Sequence, residues 1–308
     1  MRAISRVRSR RTRTRGITPG MTVDEVRGGG GEARGERLKH LLSPPMHEDR
    51  TMYTRLAELY DIIYAKKDYA GEARTLHGVI ERCARTPHRD RRALLDVACG
   101  TGVHLSHLRE WYDVEGVELS SWMLAVARRR LPNVPLHQYD MRHFALGRRF
   151  DAVTCLFSAI GYMRSVAELR RAIATMARHV LPGGLVIVEP WLTPDRFIDG
   201  HVHVDVAEGE GLKLARVSVS RRTDDVSVLE MHHMVGSASG VERFVERHDV
   251  PLFTNEQYLA AFSAAGLVVV FDADGLTGRG LYVGLASARV NASLAMPRHT
   301  SRAHRVSA

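Results

Sequence analysis

The sequence predicts a doubly wound α/β fold, a mostly parallel seven-stranded sheet carrying a small antiparallel β insertion. Three observations predict it. Short apolar runs alternate with helical periods from Ala93 to Glu189, the first run ends on a glycine-rich turn, and after Pro190 the pattern changes to alternating, β-branched stretches.

Taken in order, Leu56, Leu59, Tyr60 and Ile63 recur at helical spacing. Ala93–Val97 reads as the first strand, followed by a helix through Leu105 and Leu108. Val114–Glu118 reads as a second strand and Trp122–Arg130 as a second helix. Val134–Gln138 and Phe150–Cys155 make the third and fourth strands. Glu168–Val180 is a helix stopped by Pro182-Gly183-Gly184, and Leu185–Glu189 is the fifth strand. Beyond Pro190, Lys213–Arg221, Val226–Met234 and Arg243–Pro251 suit antiparallel strands better than crossover units. Asn255–Ala265 returns to helix, with Thr254 as N-cap and Gly266 as stop. Val268–Phe271 and Gly280–Leu285 finish the sheet. The expected organisation is one domain over residues 46–286, with the insertion at about 191–252 forming a platform over the active site. Residues 1–45, which lack an apolar period, and residues 287–308 read as disordered basic tails.

A chain of 308 residues that is 44% hydrophobic can bury a sizeable core. No apolar run approaches the ~18–20 residues of a membrane span, so a soluble chain is expected. The net charge of +9 suggests a nucleic-acid binder until it is divided by position. Residues 1–15 and 287–308 together hold eleven arginines and no acid, which leaves −2 for residues 16–286. The basicity belongs to the tails, and they suit solvated ends better than an arm gripping an acidic partner. Cys83, Cys99 and Cys155 fit neither a disulfide framework nor a zinc site, which points to a reducing, cytoplasmic location. His201, His203, His232 and His233 invite a metal reading, but no carboxylate or cysteine is arranged to complete a site, and none is expected.

The chemistry concentrates at the ends of the strands. Asp96-Val97-Ala98-Cys99-Gly100-Thr101-Gly102 sits where the first strand gives way to a helix, where glycines let the main chain approach a ligand. Glu118 ends the second strand, where a carboxylate can accept both hydroxyls of an adenosine ribose. Asp140-Met141 follows the third, where a carboxylate can meet the adenine amine and an apolar side chain can cover the ring. The third glycine of a pyrophosphate-binding fingerprint is replaced by Leu105, which argues against NAD and suits a cofactor without a phosphate.

Leu95-Asp96-Val97-Ala98-Cys99-Gly100-Thr101-Gly102 is similar to motif I of the class I, Rossmann-like methyltransferases. Residues from about Tyr53 to Leu285 resemble, more narrowly, the N,N-dimethyltransferases that act on TDP-linked amino-deoxysugars in antibiotic biosynthesis. The shared blocks include Gly116-Val117-Glu118-Leu119-Ser120, Asp140-Met141-Arg142, Glu189-Pro190-Trp191, Leu252-Phe253-Thr254 and Gly278-Arg279-Gly280-Leu281. The resemblance implies S-adenosylmethionine as cofactor, held by Tyr60, Asp96, Ala98, Gly100, Gly102, Glu118, Asp140, Met141 and Leu156. It implies Tyr53, Tyr69, Trp191 and Arg279 around the sugar nucleotide, the arginine pairing with the diphosphate, and a homodimer. Family members that methylate a 3-amino sugar carry a histidine where this chain has Tyr162, which leans toward a 4-amino sugar.

The expected reaction is in-line attack of a neutral amine on the methyl group of a sulfonium, in which orientation is the protein's main contribution. Tyr53 and Tyr162 are the candidates for positioning the amine or accepting its proton. Tyrosine, with a pKa of about 10, is a poor base near neutrality, so single phenylalanine substitutions should slow turnover moderately. The alternatives are a methyltransferase for another small-molecule amine or hydroxyl, and an RNA methyltransferase anchored by its basic tails.

Overall fold

The computed structural model describes residues 59–87, 90–209 and 211–287. The two basic tails and Tyr53 lie outside the described residues. Described helix α1 covers residues 59–63, and α2 runs Tyr69–Cys83. The alternation that follows is β1 Arg92–Val97, α3 Val103–Leu108, β2 Tyr112–Glu118, α4 Ser121–Arg130, β3 Leu136–Gln138 and β4 Phe150–Cys155. A single 3₁₀ turn at Ala159–Tyr162 then leads to α5 Val166–Arg178 and β5 Val180–Val188. The chain closes through α6 Asn255–Ala264, β10 Leu267–Asp272 and β11 Leu281–Ala286.

The seven strands are ordered β10-β11-β5-β4-β1-β2-β3, with β1 to β5 parallel and β11 antiparallel to β5. Strand order reverses between β1 and β4, so the crevice beyond their carboxyl ends is where a ligand binds in such sheets. β4 is buried along its whole length and β1 from its second residue onward, as expected of strands covered by helices on both faces. On one face α5 and α6 bury Leu169, Ile173, Met176, Tyr258 and Phe262 against the sheet. On the other, α2 and α3 bury Leu76, Ile80, Leu105 and Leu108. Thr254 caps α6 reciprocally: its hydroxyl accepts from the Gln257 N–H, and the Gln257 side chain accepts from the Thr254 N–H at 3.0 Å.

Two sequence expectations are corrected. The helix before β5 ends at Arg178, and Val180 already pairs with Phe150, so β5 begins before Pro182-Gly183-Gly184 and passes through them with a register shift. A strand at a bulge tolerates proline and glycine, which the periodicity reading took for a helix stop. The third strand is also shorter than expected, three residues at the sheet's edge.

The insertion forms its own four-stranded antiparallel sheet, β6 His201–Gly209, β7 Leu212–Thr223, β8 Val226–Ser237 and β9 Gly240–Pro251, in that order. Sequence alternation pointed to the last three, and β6 is the edge strand added to them. Its two faces differ. One carries Arg216, His233, Ser227 and His248 inward, and the other exposes Val202, Val204, Val206, Val217, Met234 and Val245.

Candidate active site

The turn after β1 is built from left-handed backbone. Ala98, Gly100 and Gly102 have φ of 59°, 56° and 78°. Gly102 permits nothing larger, because a Cβ there would meet Leu131 Cδ1 at 3.0 Å on a backbone that already disfavours side chains. This curl aims the Gly100 N–H at Glu118, whose Oε2 accepts it at 3.0 Å while Oε1 accepts the Ser120 N–H at 2.8 Å. A carboxylate offers about four acceptor positions. Two are used by main chain, which fixes the side chain's direction and leaves two for a ligand's hydroxyls. Burial raises the Glu118 pKa, and the Ser120 and Gly100 N–H groups oppose that rise. Beside it opens a cleft of about 440 Å³ lined by Leu119, Trp122 and Gln138 as well as Glu118.

Asp96 lies beneath the turn at 2% exposure, where its Oδ1 accepts the Thr154 hydroxyl at 2.7 Å. Burial pushes its pKa up to about 6, against the pull of His104 and Thr154. It ties β1 to β4 just before the turn. Asp140 is gripped by Arg142 through three hydrogen bonds from the guanidinium, two at 3.0 Å and one at 2.5 Å, and that pairing holds its pKa below the usual range. Met141 packs partly buried on the core. The Leu156 side chain is 3% exposed and belongs to the core under the crevice, so it does not line the cleft.

A second group of side chains converges on Phe157. Its φ is 52° and that of Ser158 is 61°, so two consecutive non-glycine residues are left-handed, a conformation that persists only when surroundings enforce it. Glu189, fully buried at the end of β5, does so: its Oε2 accepts the Phe157 N–H at 2.6 Å, while Oε1 accepts the Thr277 hydroxyl. Thr277 is two residues before Arg279, whose guanidinium donates to Ser158 Oγ at 3.2 Å. The same guanidinium lies over the rings of Trp191 at 5.1 Å and Phe157 at 5.8 Å. The Trp191 indole N–H in turn donates to Ser227 Oγ of β8 at 2.9 Å. Gly161 makes the approach possible, since a Cβ there would meet Trp191 and Val250 side-chain carbons, each at 2.9 Å.

The remaining aromatics complete the wall. Tyr60 and Tyr64 are 4.6 Å apart, and Tyr64 meets Phe157 edge-on at 4.9 Å. Arg216 of β7 donates to the Tyr64 hydroxyl at 3.1 Å and to Asp205 through two nitrogens. The Lys67 ammonium lies over both Tyr69 and Phe157, at 4.6 and 4.9 Å. Tyr69 also packs on His104 at 4.8 Å. Burial raises the pKa of both Tyr60 and Tyr69, with neighbouring charges adding to it. Tyr162 ends the 3₁₀ turn and hydrogen-bonds His248 of β9 at 3.0 Å.

Trp191 and Arg279 are thus brought together, and Tyr69 joins them through Lys67 and Phe157. Phe157, Lys67, Tyr64, Arg216, Ser227 and His248 were not among the sequence candidates. Their partners lie far along the chain, and no local spacing announces them. Among the four histidines considered for a metal, His203, His232 and His233 pair with Asp205, Glu230 and Glu246 at 3.2, 2.7 and 2.8 Å. No cluster of three metal-ligating side chains assembles among the described residues. No described helix is long and apolar enough to cross a membrane.

Residues 94–184 match the family model described as a methyltransferase domain. The chain is 48% identical over 239 residues to the dTDP-3-amino-3,6-dideoxy-α-D-glucopyranose N,N-dimethyltransferase of Streptomyces fradiae, covering 76% of this chain and 92% of that protein. It is 41% identical to the dTDP-4-amino-2,3,4,6-tetradeoxy-D-glucose N,N-dimethyltransferase of Saccharopolyspora spinosa, over 74% of this chain and 92% of that one. A solved SAM-bound amino pentose methyltransferase of Micromonospora echinaspora superposes with a TM-score of 0.66 at 41% identity, covering 80% of this chain and all of that one.

Proposed function

The chain belongs to the S-adenosylmethionine-dependent methyltransferases that N,N-dimethylate TDP-linked amino-deoxysugars, and we propose how its own residues carry out that reaction. Glu118 accepts the ribose hydroxyls with its two remaining acceptor positions, and Asp140 with Met141 takes the adenine. Arg279 meets the diphosphate. Its stacking on Trp191 and Phe157 holds the guanidinium plane still, which suits a two-pronged pairing with phosphate oxygens. Trp191 and Tyr69 border the sugar nucleotide. The observation that carries this reading is the combination, at the end of one sheet, of a glycine-rich turn feeding Glu118 with an aromatic-clamped arginine.

When bound, S-adenosylmethionine supplies a methyl group already made electrophilic by a positive sulfur. No phosphate cradle is needed for it, in keeping with Leu105 at the position where a pyrophosphate fingerprint has glycine. The protein's contribution is then to hold a deprotonated amine in line, a geometry that contributes on the order of 7–11 kcal/mol. Tyr162, and Tyr53 in the part of the chain outside the described residues, are the side chains we assign to orienting the amine.

Mass spectrometry of product formed from S-adenosylmethionine and TDP-linked 3-amino or 4-amino dideoxyglucose tests the reading. A gain of two methyl groups on either sugar supports it; no transfer to either, with cofactor binding confirmed, overturns the substrate assignment. The relative with 48% identity acts on a 3-amino sugar, whereas Tyr162 leaned toward a 4-amino one. The preferred substrate decides between them.

We further propose a homodimer formed through the outer face of β6–β9. Val204, Val217, His232 and Val245 are paired across all four strands, and the three valines are 57%, 41% and 55% exposed. A face this apolar on a single-layered sheet calls for cover, and a second copy supplies a matching one. Val204→Asp should give a monomer by analytical ultracentrifugation; a wild-type monomer at micromolar concentration would sink the proposal. The buried thiols of Cys99 and Cys155 suit a reducing, cytoplasmic setting.

A further inference from the structure

Tyr162 is more than a ring beside the substrate, because its hydroxyl is tied to an imidazole delivered by the other sheet. The Oη–Nδ1 distance to His248 is 3.0 Å, with the two rings 5.8 Å apart and tilted by 57°. The Tyr162 side chain is half exposed, and its hydroxyl is held against His248. Burial, with Tyr64, Glu246 and Glu118 near it, pushes that pKa up to about 12. A phenol held so firmly in its protonated form cannot by itself take a proton from an ammonium group near neutrality. It can pass one on if a second acceptor takes its own.

We infer that His248 is that acceptor: the Tyr162–His248 pair is a proton relay that deprotonates the sugar's ammonium group before each methyl transfer. This rests on the amino-sugar reading above. The geometry fits both ends of the relay. A neutral imidazole carrying its proton on Nε2 accepts the Tyr162 O–H at Nδ1, leaving the phenol oxygen's lone pairs to face an ammonium N–H. The ammonium N–H bond breaks toward Tyr162 Oη as the Tyr162 O–H bond breaks toward His248 Nδ1. The imidazolium so formed loses its Nε2 proton to solvent, and exchange with solvent then moves the remaining proton from Nδ1 to Nε2, which restores the accepting tautomer. The freed nitrogen lone pair then forms the N–C bond while the C–S bond breaks, its electrons remaining on sulfur. The new ammonium proton leaves by the same route before the second round.

The surroundings keep His248 in the accepting form. Facing it are Glu246 on its own strand, Arg216 on β7, His233 on β8 and Tyr162 from the 3₁₀ turn, with Asp249 adjacent on the other face of β9. Burial lowers its pKa, and Arg216 and His233 add to this against the opposing pull of Glu246 and Asp249. It is therefore neutral at physiological pH and ready to accept. His248 acts through Tyr162 and is a positioning and relay residue, with Tyr162 the group that touches substrate.

The test is the pH profile of kcat for wild type, His248→Gln, Tyr162→Phe and the double variant, with KM for the sugar nucleotide and cofactor affinity measured alongside. Glutamine keeps an acceptor for the Tyr162 hydroxyl but cannot carry the proton. His248→Gln is expected to lose on the order of a hundredfold in kcat at pH 7, at the low end of the ~10²–10⁴ of positioned proton transfer. The loss should shrink toward alkaline pH as the amine deprotonates unaided, with KM and cofactor affinity changed less than about threefold. The double variant should be no slower than the slower single one, as for two members of one chain. The acid limb should also follow the His248 titration seen by NMR, and that titration should shift in Tyr162→Phe. A His248→Gln defect of equal size at every pH, or no defect, would overturn the relay while leaving the function intact. Absence of wild-type transfer to any amino sugar would remove both.

Discussion

The two halves of the candidate active site are held in place by different kinds of bond. Around Glu118 the carboxylate is aimed by main chain: the Gly100 and Ser120 N–H groups grip it, and left-handed backbone places the first of them. Around Arg279 the guanidinium is placed by side chains, with main chain entering only beneath it, where Glu189 accepts the Phe157 N–H. Ser158, Trp191, Phe157, Glu189, Thr277 and Ser227 come from four separate segments. The first arrangement is rigid and nearly indifferent to the surrounding side chains, glycines excepted. The second can be tuned from a distance, which suits a site that must select among similar sugars.

That contrast can be broken or sharpened. The largest effect should come from Glu118→Gln, which keeps one acceptor oxygen and removes the charge. Hydrogen bonds to charged groups are worth about 1.5–3 kcal/mol, so S-adenosylmethionine should bind roughly a hundredfold more weakly by calorimetry. The KM for the sugar nucleotide should hardly move. A matching rise in that KM would mean that the two halves are not independent.

Next comes Asp96. Its pKa is raised from the ordinary 3.8 to about 6 because the charged form is buried. A carboxyl raised on folding binds its proton more tightly in the native state, so stability is lost as pH rises between about 4 and 6. At full effect this is on the order of 3 kcal/mol. Asp96→Asn should flatten that slope in thermal melts across pH 4–7 and raise Tm above pH 6. An unchanged slope would place the cost elsewhere.

In the other half, Arg279→Lys keeps the charge and loses the planar fork. It should raise the KM for the sugar nucleotide about tenfold without changing cofactor affinity. The smallest effect expected is that of Ser227→Ala. It leaves the Trp191 indole N–H without its acceptor, at about 1 kcal/mol, and should raise the same KM about fivefold from a residue that touches no ligand. If Ser227→Ala changed only Tm, the tuning argument would fail.

The same contrast explains what could be read from the sequence. The crossover order and the Asp96–Gly102 turn are written in short windows, where an apolar run, a glycine spacing and a carboxylate fall within a few residues. The Phe157 cluster is not. Ser227 is 36 residues from Trp191, His248 is 86 from Tyr162 and Arg216 is 152 from Tyr64. Each of those side chains sits in a strand that alternates correctly on its own account, so nothing nearby marks it out. The resemblance, not any local pattern, put Leu156 beside the cofactor, and its side chain packs in the core just beyond β4. Val180 was read as helix because an apolar residue next to a helical period satisfies either pattern.

The insertion is one strand thick, so neighbouring residues in its sequence serve opposite sides of the molecule. Along β6, Val202, Val204 and Val206 face outward while His203, Asp205 and Ala207 face inward. Odd and even positions can therefore diverge under separate pressures, one set answering to whatever docks on the sheet and the other to whatever lies beneath it. A one-residue deletion there would exchange the two sets at once.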